Sequence, residues 1–119
     1  MIKIYVAGPY SKGNIVDNVG IAIQYTSELV DMGYAPFCPH LSHFVDIYSK
    51  KAWSTWMKID LEFLSRCDVL IRIPGESPGA DIEVATAIQS GIPVLNNLEK
   101  AEEFIKQAKE FIKNEKRAN

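Results

Sequence analysis

Asp68-Val-Leu-Ile-Arg-Ile73, followed closely by Ser77-Pro-Gly-Ala-Asp-Ile-Glu83, decides how this chain reads. The first run is short and apolar, the mark of a buried strand. The second opens a helix that ends near Gly91. A glycine-bearing turn at a helix start leaves backbone N–H groups unpaired, and these suit an anion such as phosphate. Glu83 falls one turn into that helix, close to the carboxyl end of a parallel strand. Open α/β sheets bind their ligands at that edge.

The same alternation extends in both directions. Residues 2–7 form an apolar run that stops at Gly8-Pro9, as a central strand and its turn would. Asn14 is placed to cap a helix whose apolar positions are Ile15, Val19, Ala22, Ile23, Thr26, Leu29 and Val30, with Gly33 as its C-cap. Residues 34–37 predict a second short strand, and Pro36 assigns it to an edge. Residues 38–52 form a long aromatic-rich connection holding His40, His43, Phe44 and Tyr48; such a loop is often functional or contains a helical turn. Residues 53–66 are helical by pattern, with Trp56, Ile59, Phe63 and Leu64 on one face. A fourth strand is expected at residues 92–95. A last amphipathic helix is expected at 99–114, with Phe104, Ile105, Ala108, Phe111 and Ile112 on one side.

Strands alternating with helices predict an α/β, Rossmann- or flavodoxin-like three-layer sandwich. Its parallel sheet would have four to five strands. Right-handed crossovers and short connections give strand order 2-1-3-4. With 119 residues, the chain suits one domain over residues 1–119. A net charge of −2 provides no field that would favour nucleic acid. The basic run at 113–117 suits a solvated helix end. Two cysteines, Cys38 and Cys67, make no disulfide framework, and no apolar stretch approaches a bilayer span. The start of the chain lacks a signal-peptide pattern, so the expectation is a soluble cytoplasmic protein with no membrane partner.

With that strand order, Tyr5 and the loop from Gly8 to Asn14 face the same crevice as Ser77 to Glu83. Asp60 lies four residues after Trp56 and three before Phe63, so it shares their apolar face. A carboxylate there needs a reason, because isolated buried charge is costly. One reason is structural, an ion pair with Arg66 or Lys58. Glu83 likewise has a structural reading, as a first-turn acid stabilising the helix dipole. Together, flanking an anion-suited loop, the two acids match what glycosidic cleavage needs: one stabilises or attacks the sugar cation, the other handles the leaving group's proton. The first loop fits neither a dinucleotide fingerprint nor a Walker loop. Cys38, His40 and His43 fit no standard zinc spacing, so no metal is expected. Trp53, Trp56 and Phe44 read as core.

Three segments carry a resemblance: Ile4-Tyr-Val-Ala-Gly-Pro9, Asp60-Leu-Glu-Phe-Leu-Ser-Arg-Cys-Asp68, and Ser77-Pro-Gly-Ala-Asp-Ile-Glu83 with Ala87 and Gly91-Ile-Pro-Val94. In this order the chain resembles the nucleoside 2-deoxyribosyltransferase superfamily, closest to its small nucleoside 5′-monophosphate N-glycosidases. The resemblance implies that Glu83 is the nucleophile at C1′ of the sugar. It implies that Tyr5 orients Glu83 and that Asp60 contacts the base and assists its departure. Gly8, Pro9, Tyr10, Ser11, Lys12 and His43 would lie around the base or sugar, and Ser77, Gly79 and Ala80 around the 5′ end. Transferases of the superfamily tend to carry an aspartate where this chain has Ser77. A carboxylate would repel a 5′-phosphate and a hydroxyl would not, which favours a nucleotide. Lys12 could add a cation, although the first loop lacks the arginines of the most similar hydrolases. The implied reaction needs no cofactor. The alternatives are base exchange by a deoxyribosyltransferase and a non-catalytic nucleotide sensor. The resemblance also implies a homodimer or higher homo-oligomer.

Overall fold

The computed structural model describes residues 1–118. It is an α/β fold built on a four-stranded sheet in the order β2-β1-β3-β4. The strands are β1 (Lys3–Ala7), β2 (Ala35–Phe37), β3 (Val69–Arg72) and β4 (Val94–Leu95). Every pairing is parallel, with Tyr5 opposite both Phe37 and Leu70, and Ala7 opposite Arg72. The helices are α1 (Ile15–Met32), α2 (His43–Tyr48), α3 (Trp53–Leu64), α4 (Pro78–Gln89) and α5 (Leu98–Ala118).

Alternation along the central strands divides the core in two, since successive side chains point to opposite faces. Ile4, Val6, Val69, Ile71 and Ile73 pack with Ala22 and Leu29 of α1 and Ala101 and Ile105 of α5. Tyr5, Ala7 and Leu70 pack on the other face with Leu64 of α3 and Ala80 and Ala87 of α4. Helices thus cover both faces, giving three layers. Tyr34 joins the second strand to the first layer by donating from its phenol to Ala101 O at 2.7 Å.

The caps act as the sequence predicts. Asn14 accepts from the Asp17 N–H, and Gly33 ends α1 at φ 100° with its N–H on the Leu29 and Val30 carbonyls. Pro36 does lie in an edge strand.

The connection at 38–52 holds helical structure as expected, a 3₁₀ turn, Pro39–Ser42, and then α2. Three expectations change. The fourth strand shrinks to Val94–Leu95, because the Ile92 N–H closes the end of α4 on Ala87 O and Pro93 has no N–H to give. On α3, Ile59 and Phe63 are exposed, and Phe63 stacks on Phe37 with centroids 4.4 Å apart. α5 runs past the rest of the sheet layer, so Phe111 and Ile112 project into solvent while Ala101 and Ile105 are buried. At 1.5 Å per residue this helix is about 30 Å long, and the molecule extends 52 Å in its longest direction. Among the described residues no helix is long and apolar enough to cross a membrane.

Candidate active site

Glu83 sits in the second turn of α4 and faces the sheet. Ser77 caps that helix, accepting the Ala80 N–H on its hydroxyl oxygen at 3.1 Å, and Pro78 opens it with a preset φ. The cap fixes the rotation of α4, which places Ala80, Glu83 and Ala87 inward on one stripe. Glu83 is only 6% exposed. The Tyr5 phenol, entirely buried at the middle of β1, donates to its Oε2. Burial pushes the Glu83 carboxyl up from 4.5 to about 7; the Tyr5 bond opposes this, Asp60 adds to it, and Arg72 opposes it. Burial and then the acids Glu83 and Asp60 push the Tyr5 phenol upward too, so it stays a donor.

Asp60 comes from α3. Trp53, Trp56, Met57 and Asp60 recur at i, i+3, i+4 and i+7, and that stripe forms a wall of the cavity that Glu83 also lines. Burial pushes the Asp60 carboxyl up from 3.8 to about 6. Among the described residues no cation pairs with it, so the ion pair with Arg66 or Lys58 is not formed. Two carboxyls with raised affinity for protons at one cavity can divide the roles of nucleophile and acid near neutral pH.

The cavity encloses about 360 Å³. Gly8, Tyr10, Ser11 and Lys12 of the first loop form one side; Ser77, Pro78, Gly79 and Ala80 form another; Pro39, His40 and Ser42 close a third. Gly79 lies close to α3: a Cβ there would lie 3.3 Å from Met57 Cε. At the start of α4, Pro78 has no N–H, Ala80 N–H is taken by Ser77 Oγ, and Asp81 N–H by Ser77 O. Gly79 N–H and the Ser77 hydroxyl hydrogen remain for an anion.

Of the residues singled out from sequence, the structure brings Gly8, Tyr10, Ser11, Lys12, Asp60, Ser77, Gly79, Ala80 and Glu83 to this one cavity. Tyr5 lies beneath it and reaches it through Glu83. Two residues stand outside the wall. The Pro9 ring packs on the turn at Gly75, and its carbonyl oxygen lies 2.9 Å from His40 Nε2. His43 Nδ1 shares a 2.7 Å hydrogen bond with the Tyr10 hydroxyl, so it holds a lining residue from behind.

The structure adds His40, Trp53, Trp56 and Met57 to the wall. His40 is buried, and burial pulls its imidazole below the ordinary value. The signal that could have found it is topological: Pro39-His40 follows the carboxyl end of β2, at the same sheet edge as the other two loops. Trp56 is held by Asp46, whose Oδ1 accepts its indole N–H at 2.9 Å.

A family model matches residues 2–97, from β1 to the end of β4 and just beyond. The chain belongs to the family described as domain of unknown function DUF7768. A search of curated proteins finds no match for this DUF7768 protein. Among solved structures it is similar to a 2-deoxyribosyltransferase from the psychrotolerant bacterium Bacillus psychrosaccharolyticus. The two share 24% identity and a TM-score of 0.59, over 82% of this chain and 78% of that one. It is also similar to a conserved protein from Enterococcus faecalis V583, at 23% identity and a TM-score of 0.64. That match covers 79% of this chain and 61% of the other, so the DUF7768 chain spans about three fifths of that protein. At these identities the likeness is one of fold, the deoxyribosyltransferase-like α/β arrangement.

Proposed function

We propose that this protein cleaves the N-glycosidic bond of a (deoxy)nucleoside 5′-monophosphate, releasing free base and sugar phosphate. One observation carries the reading: Glu83, held by the Tyr5 phenol, shares a cavity with a second proton-retaining acid, Asp60. The Glu83 carboxylate attacks C1′, and the C1′–N electron pair leaves with the base. Asp60 gives its proton to the departing base. Water then attacks C1′, Asp60 takes the proton, and Glu83 is released. Trp53, Trp56 and Tyr10 line the same cavity as Asp60 and supply aromatic surface for a base. Lys12, the Ser77 hydroxyl and the Gly79 N–H are the donors available for a 5′-phosphate. The reading extends to self-association, for which Phe44, Val45, Ile47 and Tyr48 of α2 present exposed apolar surface.

The working state, with Glu83 ionised and Asp60 protonated, is the minor of the two singly protonated forms, because burial raises Glu83 to about 7 and Asp60 to about 6. Both forms rise and fall together with pH, so activity is expected to follow a bell across these values. The test is incubation with a panel of nucleosides, deoxynucleosides and their 5′-monophosphates, with free base measured by chromatography. Base release from at least one monophosphate, favoured over its nucleoside, is expected. Glu83→Ala should lower turnover by at least ~10²-fold, the scale of losing a catalytic group. Release from nucleosides alone would remove the phosphate assignment, and a new nucleoside formed in the presence of an acceptor base would favour transfer. No free base from any member of the panel would end the glycosidic reading.

A further inference from the structure

We propose that Arg72 is a positioning residue for Glu83: its guanidinium clamps the turn between β3 and α4 and sets the charge around that carboxylate. The role rests on the glycosidic reading of the site, but the clamp itself is visible in the geometry. Arg72 ends β3, on the face shared by Leu70 and by its β1 neighbour Ala7. Its side chain is 16% exposed. The guanidinium donates to Ile73 O, to Gly75 O at 2.9 Å and to Asp81 Oδ1 at 3.0 Å. One planar fork therefore joins the strand end, the glycine turn and the first turn of α4. Asp81 stands two residues before Glu83, so the fork fixes the segment from which Glu83 projects.

The clamped turn also meets the first loop. Gly75 has φ 125°, and a Cβ on it would lie 2.7 Å from Pro9 Cγ. Ile73 N–H donates to Ala7 O at 2.7 Å. Arg72 thus holds a junction between the two loops that line the cavity. The groups that act on Glu83 are Tyr5 from β1, Asp60 from α3 and Arg72 from β3; Lys12 and His40 line the same cavity, and Asp81 of its own helix is exposed and paired with Arg72. Among them Arg72 is the cation whose field opposes the proton affinity raised by burial. A lysine could supply the charge but not three bonds in one plane.

The experiment titrates the Glu83 carboxyl by carbon-13 NMR in the full chain, as wild type, Arg72→Met and Arg72→Lys, beside the pH profile of base release. In Arg72→Met the Glu83 midpoint should rise, leaving severalfold less ionised carboxylate on the acid side of the profile. Glu83 is the weaker acid of the pair, so the alkaline limb of kcat should move up with it while kcat on the acid side falls. In Arg72→Lys the midpoint should stay near wild type while kcat falls several-fold, because charge returns without the fork. An unchanged Glu83 midpoint in a folded Arg72→Met would overturn the proposal. If Arg72→Met does not fold, Arg72→Lys decides: wild-type kcat and KM in that variant overturn the clamp, and a fall in kcat at an unmoved midpoint supports it. A shifted midpoint in a protein whose wild type releases no base would retire the glycosidic reading and leave the role of Arg72 standing.

Discussion

Glu83 is a residue at which stability and chemistry oppose each other. Its folded carboxyl titrates near 7 against an ordinary 4.5, so between those values the native state holds more protons than the unfolded chain. Stability linked to this group is therefore fully present below about pH 4.5 and declines as pH rises through 7. Asp60, raised to about 6, contributes with the same sign over a narrower window. Glu83→Gln keeps the shape and an acceptor for Tyr5 but removes the charge. It should leave stability near wild type at pH 5 and exceed it at pH 8 by on the order of 2 kcal/mol. Urea unfolding at the two pH values measures this, and a gap independent of pH would contradict the burial cost. Strand order brought Tyr5 and Glu83 to one crevice; that Tyr5 bonds Glu83 was implied by the family resemblance, and the structure forms that bond. The places of His40 and Trp53 were not legible in the sequence. A 15-residue connection without a period does not say which side chains turn toward a ligand. An apolar stripe on α3 looks the same whether it covers a core or a cavity.

At the scale of elements, the site depends on two loops fitted into each other. A Cβ on Gly8 would lie 2.8 Å from Ile73 Cβ, and one on Gly75 would meet Pro9 while the backbone there sits at φ 125°. Gly91 also has positive φ, at 74°, but has open space around it. Gly91→Ala should therefore cost about 1 kcal/mol, the backbone term alone. Gly75→Ala should cost about 2–4 kcal/mol, with overpacking added. Equal losses in thermal or denaturant melts would mean that the loops do not interlock. The order of elements and the caps of α1 followed from short-range chemistry such as Asn14 and Gly33. What escaped was set by competition for backbone groups. The Ile92 N–H belongs to the end of α4 and so cannot extend β4.

Over the whole molecule, the two-layered core carries the stability, and α5 outruns it. Leu29 is fully buried between α1 and the sheet, whereas Phe111 is 67% exposed. Leu29→Ala should cost about 2–5 kcal/mol. Phe111→Ser with Ile112→Ser should change stability by no more than about 0.5 kcal/mol, despite removing two large apolar side chains from an amphipathic stripe. A large loss in the double variant would show that the end of α5 is covered in solution. The periodicity of 99–114 identified the helix and its apolar side, but the pattern could not show where the supporting layer stops.

The central claim is spatial: one sugar carbon between Glu83 and Asp60. The most direct measurement is a crystal structure of Glu83→Gln soaked with an intact deoxynucleoside 5′-monophosphate. The expected result places C1′ about 3–3.5 Å from the Gln side chain, the separation of a reactive pose, with the base edge at Asp60 and the phosphate toward Ser77 and Gly79. A nucleotide bound in this cavity with its sugar turned away from position 83, or bound elsewhere on the molecule, would contradict the account.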